Sequence, residues 1–236
     1  NAKIIAVGDD WQSIYAFSGS DVTLFTHFCN KMGYGKELKI VKTYRNSQEV
    51  IDIAGDFVQK NESQIKKTLL ANKHIKDPVI IYSFDDKAQK YSKADNGEAR
   101  GALYMLAIGI QTALTHIVEN NSNNQTKNIL LIGRYGFDGQ QLEKSDLFIY
   151  QDYGNKIICK KYPKFKIQFM TAHSSKGLGY DDVIIINTSN STFGFPCKIE
   201  DDPVLKLVTY EDTSIPFAEE RRLFYVAMTR TKNRVY

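Results

Sequence analysis

Asn128–Gly136 reads NILLIGRYG, four consecutive apolar residues closed by a polar, glycine-bounded turn. Apolar, β-branched residues packed that tightly between polar punctuation read as a strand. The same pattern recurs along the chain. Lys3–Val7 (KIIAV) closes on Gly8-Asp9-Asp10, Pro78–Phe84 reads PVIIYSF, Phe165–Met170 leads into a loop rich in small residues, and Asp182–Asn187 reads DVIIIN. Leu147–Tyr150 and Lys156–Cys159 are shorter strand candidates. Between them lie helical stretches, the longest from about Glu98 to Glu119, whose Leu, Ile and Ala content suits packing on a sheet, and a shorter one near Gln140. Strands alternating with helices predict an α/β fold with βαβ units and a mainly parallel sheet.

The 236 residues are 42% apolar and 25% charged, which suits one large α/β domain or two small ones and requires no disorder-dominated chain. The apolar run near Ala102–Leu114 is interrupted by Gln111 and Thr112 and is expected to be too short to span a bilayer. With no signal peptide in view, no membrane partner and a cytoplasmic location are expected. Cys29, Cys159 and Cys197 are too few and too scattered for a disulfide framework or a zinc site, so free thiols and no metal site are expected. A net charge of +4 is compatible with a polyanionic partner without requiring one. The chain begins at Asn1 and stops at Val235-Tyr236, which reads as the start of another strand, so an excised fragment is expected. Asn120–Asn128 (NNSNNQTKN) is a polar, low-complexity loop expected to be exposed and mobile, and Glu200, Asp201 and Asp202 read as a solvated acidic cluster.

Four stretches carry candidate chemistry. In Trp11–Asp21 (WQSIYAFSGSD) polar Gln12 and Ser13 are interleaved with aromatic residues, so Tyr15 and Phe17 read either as base-stacking groups or as core. In Lys42–Val50 (KTYRNSQEV), Asn46 with Glu49 three residues later resembles a capping box, and Val50, Ile53, Ala54 and Phe57 follow at helical spacing. Arg45 then lies at a strand-to-helix junction, where orphan N–H groups favour phosphate, or else it pairs with a carboxylate in a turn. After Phe165–Met170, the loop residues Thr171, His173 and Ser174, with Ser175-Lys176-Gly177 behind them, offer hydroxyls, an imidazole and backbone amides suited to gripping phosphates. Glu219–Lys232 (EERRLFYVAMTRTK) is an amphipathic helical segment with Pro216 and two acids at its start and Thr229-Arg230 at its end. Its Arg230 reads as a guanidinium aimed at an anion, or as an ordinary C-terminal helix cation.

Taken together these stretches resemble motifs III, IV, V and VI of the UvrD/Rep-type superfamily 1 DNA helicases, in family order from near the first residue to near the last. VGDDWQSIYAFSGSD is similar to motif III, KTYRNSQEV to motif IV, QFMTAHSSKGLGYDDV to motif V and EERRLFYVAMTRTK to motif VI; the Asp-Asp-Trp-Gln form is closest to the helicase IV group. The resemblance implies a RecA-like fold with helices on both faces of the sheet. Residues 1–35 would be the tail of a first RecA-like domain and 36–236 the second. It further implies ATP with Mg2+ in a cleft between them, single-stranded or partly duplex DNA as partner, and 3′ to 5′ translocation. On that carry-over Gln12, Arg45 and Arg230 act at the γ-phosphate, Tyr44 stacks on adenine, and Tyr15, Phe17, Thr171, His173 and Ser174 face DNA. About thirty residues separate Arg134 from Phe165, too few for the large inserted domain of many relatives.

Two departures stand out. Ser18 occupies a position where many relatives carry Arg, and Gly179 one where many carry a Glu that reaches the nucleotide sugar. No GxxxxGK[ST] loop and no upstream Asp-Glu pair occur, so the chain by itself is not expected to hydrolyse ATP, and the missing N-terminal RecA-like domain is an implied partner. A non-hydrolysing nucleic-acid-binding or scaffold protein with a degenerate helicase domain is the alternative.

Overall fold

A computed structural model describes residues 3–33, 35–84, 97–121, 126–199, 204 and 215–236. In chain order the helices are α1 (Val22–Thr26), α2 (Phe28–Met32), α3 (Gln48–Val58), α4 (Gly97–Glu119), α5 (Phe137–Gln141) and α6 (Ala218–Met228). The strands are β1 (Asn128–Gly133), β2 (Phe148–Gln151), β3 (Lys156–Cys159), β4 (Lys166–Thr171) and β5 (Asp182–Ile185), in sheet order β2-β3-β4-β1-β5. The centre is parallel, with β1 between β4 and β5 in the registers Leu131↔Phe169 and Leu131↔Ile184. The outer β2–β3 hairpin and its pairing with β4 are antiparallel, so the sheet is mixed. The link from Asp152 to Asn155 is too short for a crossover and forces the chain to double back. Helix α5 and this hairpin occupy the interval between Arg134 and Phe165, in place of any inserted domain.

β1 is central because both of its faces are buried. Ile129 and Leu131 face a core built with α4 (Ala107, Ile110, Leu114, Ile117), whereas Leu130 and Ile132 face one built with α3 and α6 (Ala54, Val58, Leu223, Val226). A period-two strand buried on both sides reads as an unbroken apolar run. By length and composition Gly101–Glu119 could cross a membrane, against the expectation that it is too short. Its apolar stripe is instead taken up by the sheet.

Two expected strands have no ladder. Lys3–Val7 joins no strand among the described residues and Ile5 is 89% exposed, since β propensity does not by itself specify a neighbour. Pro78–Phe84 makes a single parallel bridge at Val79 to Val235, which also bridges Val183 and so extends the sheet beyond β5. Ile81 beyond it is exposed. The Asn120–Asn128 loop is described only at its ends, and the acidic cluster at Glu200–Asp202 lies outside the described residues.

Candidate nucleotide and nucleic-acid site

Helix α6 is no surface helix. Leu223, Tyr225, Val226, Ala227 and Met228 are buried, and Glu219 and Glu220 occupy the first turn, where the helix dipole favours acids. At its C-terminal end Arg230 is 1% exposed. Its Nε donates to the Val226 carbonyl at 2.8 Å, Nη2 to Thr229 Oγ1 at 3.0 Å and Nη1 to the Leu178 carbonyl at 3.3 Å. Among the described residues no carboxylate forms an ion pair with it. Burial, and then the neighbouring Arg45, pull its pKa down to about 10, so it remains a cation at neutral pH.

The backbone around Arg230 is clamped from two sides. Asn46 Nδ2 donates one hydrogen to the Thr229 carbonyl at 3.1 Å and the other to the Thr231 carbonyl at 2.6 Å. On the far side Tyr180 N donates to the Arg230 carbonyl at 2.9 Å, and Lys232 N to the Tyr180 carbonyl at 2.7 Å. The capping-box reading of Asn46 and Glu49 is therefore corrected. Ser47 caps α3 by accepting from Val50 N, and Glu49 turns away to His74 and Ile75 N. Asn46 is withdrawn from capping because two buried carbonyls require its amide.

A cavity of about 160 Å³ lies beside this clamp, lined by Gln12, Lys42, Arg45, Arg230, Asp9 and Tyr225 among others. Three of the expected phosphate residues, Gln12, Arg45 and Arg230, thus meet at one place. Arg45 is half-buried and, among the described residues, has no hydrogen-bond or ion-pair partner, contrary to the alternative that it pairs with a carboxylate. A Cβ on Gly179 would lie 3.3 Å from Arg45 Nε, so the glycine leaves the guanidinium its path. Tyr44 stands 83% exposed next to Arg45, with Lys42 Nζ 5.4 Å from its ring centre.

The expected DNA-side residues gather at the other end of α6. Phe17 and His173 rings lie 5.5 Å apart, Tyr15 lies 5.9 Å from Phe17, and Lys176 Nζ is 4.7 Å from the Tyr15 ring. Phe17 is 53% exposed, which favours the stacking reading over core. Trp11 is instead buried against Tyr225, with its indole N–H on the Ile65 carbonyl. Thr171 and Ser174 hydroxyls share a hydrogen bond at 2.9 Å, and Gly177 turns the loop with φ +86°. The motif III loop is tied to α6 by Ala16 N on Glu219 and by Arg222 Nε on the Ser13 carbonyl. The tertiary roles of Asn46, Glu219 and Arg222 escape sequence reasoning because their partners are main-chain atoms far along the chain.

Residues 146–236 match the UvrD-like helicase C-terminal domain. The chain carries such a domain. DNA helicase IV of Escherichia coli (strain K12) is 30% identical over 233 residues, 99% of this chain and 29% of the relative. A probable DNA helicase of Mycoplasma pneumoniae is 24% identical over 233 residues, 98% of this chain and 37% of the relative. DNA helicase II of E. coli matches over 80 residues at 26% identity, 34% of this chain and 11% of the relative. The chain therefore spans well under half the length of these helicases.

Asn46→Ala leaves two buried carbonyls unpaired and is expected to destabilise the fold by about 2–4 kcal/mol, read from a denaturant midpoint at unchanged m-value. Burial, followed by Arg134, lowers the His173 pKa in the folded state. The unfolded chain therefore takes up the proton first, and the contribution of His173 is complete above its ordinary pKa near 6.5 and lost as pH falls below it. Unfolding between pH 7.5 and 5.5 should show a smaller acid-induced loss in His173→Gln than in the unaltered protein.

Proposed function

We propose that this chain is the C-terminal RecA-like part of an ATP-dependent DNA helicase. Residues 1–35 would complete a first RecA-like domain that carries the phosphate loop, and 36–236 would form the second. ATP is the substrate held between them, and single-stranded DNA runs over the Phe17–His173 end, with 3′ to 5′ translocation. The observation that carries this reading is Arg230, a buried cation with no carboxylate partner among the described residues, sharing a cavity with Arg45 and Gln12. Two guanidiniums at one cavity repel each other unless an anion lies between them, and a forked pair suits a phosphate. Phosphoryl transfer depends mainly on charge stabilisation and positioning, which is what such a pair supplies.

The described residues do not fit Mg2+. Among the described residues no three potential ligands of the His, Cys, Asp and Glu types gather, and Asp9 and Asp10 are both engaged by Lys67. The metal ligands of the helicase we propose therefore belong to the phosphate-loop domain, and the part assigned here supplies arginines.

The test is ATP hydrolysis stimulated by single-stranded DNA in the longer protein. Arg230→Ala is expected to lower kcat by about a thousandfold. Arg230→Lys keeps the charge but loses the fork and is expected to be severely impaired; because it also gives up buried hydrogen bonds, its activity is compared well below its own unfolding midpoint. Full activity in both variants would overturn the assignment. A parent without any hydrolysis would favour the non-hydrolysing alternative.

A further inference from the structure

Lys67 has no signature in the sequence, yet it stands behind the cavity wall. Its Nζ contacts Asp9 Oδ1 at 2.5 Å and Asp10 Oδ1 at 3.1 Å, and it lies 4.5 Å from the centre of the Trp11 ring. The side chains of Lys67 and Asp10 are 13% and 1% exposed and that of Asp9 is 32% exposed, so the cluster is dry at Asp10 and partly open to water at Asp9. Its backbone N donates to Gln59 Oε1 at 3.3 Å, which ties it to the residue that ends α3. Asp9 then uses Oδ2 to accept from Gln12 Nε2 at 2.5 Å, while its Oδ1 also accepts from Trp11 N at 3.2 Å. The second Asp10 oxygen accepts from Ile65 N at 2.8 Å. A chain of direct contacts thus runs from α3 through Lys67 and Asp9 to Gln12 at the cavity.

We infer that Lys67 is a positioning residue for ATP hydrolysis, acting through Asp9 to fix which end of the Gln12 carboxamide faces the cavity. Only the amide NH2 of a glutamine can face a carboxylate, so Asp9 orients Gln12 with its carbonyl oxygen on the opposite side. Lys67 makes that orientation durable. Adjacent carboxylates repel each other, and Asp10 is also cut off from water, so removing their shared cation leaves the partly exposed Asp9 free to turn to another, with Lys42 and Arg45 lining the same cavity. Gln12 would then lose its anchor even though no atom touching the nucleotide had been altered. Because Lys67 is tied to the end of α3, whose first turn follows Arg45 and Asn46, the same contacts hold the Gln12 wall in register with the arginine wall.

The inference rests on the function proposed above, and the experiment separates the two. In the longer protein, Lys67→Met, Gln12→Ala and the double variant are compared for DNA-stimulated ATPase, with unfolding midpoints measured alongside. Lys67→Met is expected to lower kcat by about tenfold to a hundredfold, with little change in KM for ATP, since small misplacements at a reacting centre cost that much. Added to Gln12→Ala it should cost nothing further, because its effect passes through Gln12. Lys67→Arg should recover most of kcat. Multiplying losses in the double variant, or an unchanged kcat in Lys67→Met, would overturn the inference. If Lys67→Met does not fold, Lys67→Gln, which keeps a donor without the charge, takes its place: a kcat defect that disappears in the Gln12→Ala background supports the inference, and a defect that persists there, or no defect, overturns it. The Arg230 variants are the control: impaired Arg230→Ala beside normal Lys67→Met discards only this inference, whereas full activity in both Arg230→Ala and Arg230→Lys discards the reading of the cavity itself.

Discussion

The amide of Asn46, donating one hydrogen each to the carbonyls of Thr229 and Thr231, is the contact on which the rest of the site depends. It joins the start of α3 to the residues on either side of Arg230, so the two arginines of the cavity are held by one side chain. A buried guanidinium loses the solvation that water gives it, and Arg230 recovers part of that from three protein oxygens. The negative end of the α6 dipole adds to this. Among the described residues it has no ion-pair partner, and the adjoining cavity is where an anion would supply one.

Helix α6 spans about 16 Å at 1.5 Å per residue, with the arginine cavity at one end and the aromatic cluster at the other. Along its length it grips the motif III loop through Glu219, Arg222 and Tyr225. Arg134 fixes the same helix from the end of β1 through a two-pronged pair with Glu220, at 2.7 Å and 3.0 Å. Movement at one end of a packed helix is transmitted to the other, because cores shift between discrete packings and do not deform smoothly. Such a layout suits coupling between a nucleotide and a strand of nucleic acid.

Much of the fold was legible in the sequence where local pattern and burial coincide. NILLIG became the central strand because both of its faces are covered, and the Leu, Ile and Ala stripe of α4 predicted its packing. KIIAV has equally good strand chemistry but stays exposed, since β propensity cannot choose a partner. The hairpin at Asp152–Asn155 escaped because alternation alone does not distinguish a tight turn from a crossover. At the site, Arg230, Arg45, Gln12, Phe17 and His173 were singled out by the resemblance of their stretches to family motifs, and their convergence into two clusters follows from the fold. Asn46 was noticed for the wrong reason, as a helix cap, and Lys67 was invisible, because both act on partners that only tertiary structure brings near.

The most direct measurement is a crystal structure of the longer protein with ADP and aluminium fluoride in place of the transferring phosphate. The expected result has the Arg45 and Arg230 guanidiniums within hydrogen-bond distance of the fluoride atoms, with Asn46 still bridging Thr229 and Thr231. Nucleotide bound elsewhere, with Arg230 still confined to the Val226 and Leu178 carbonyls, would contradict it.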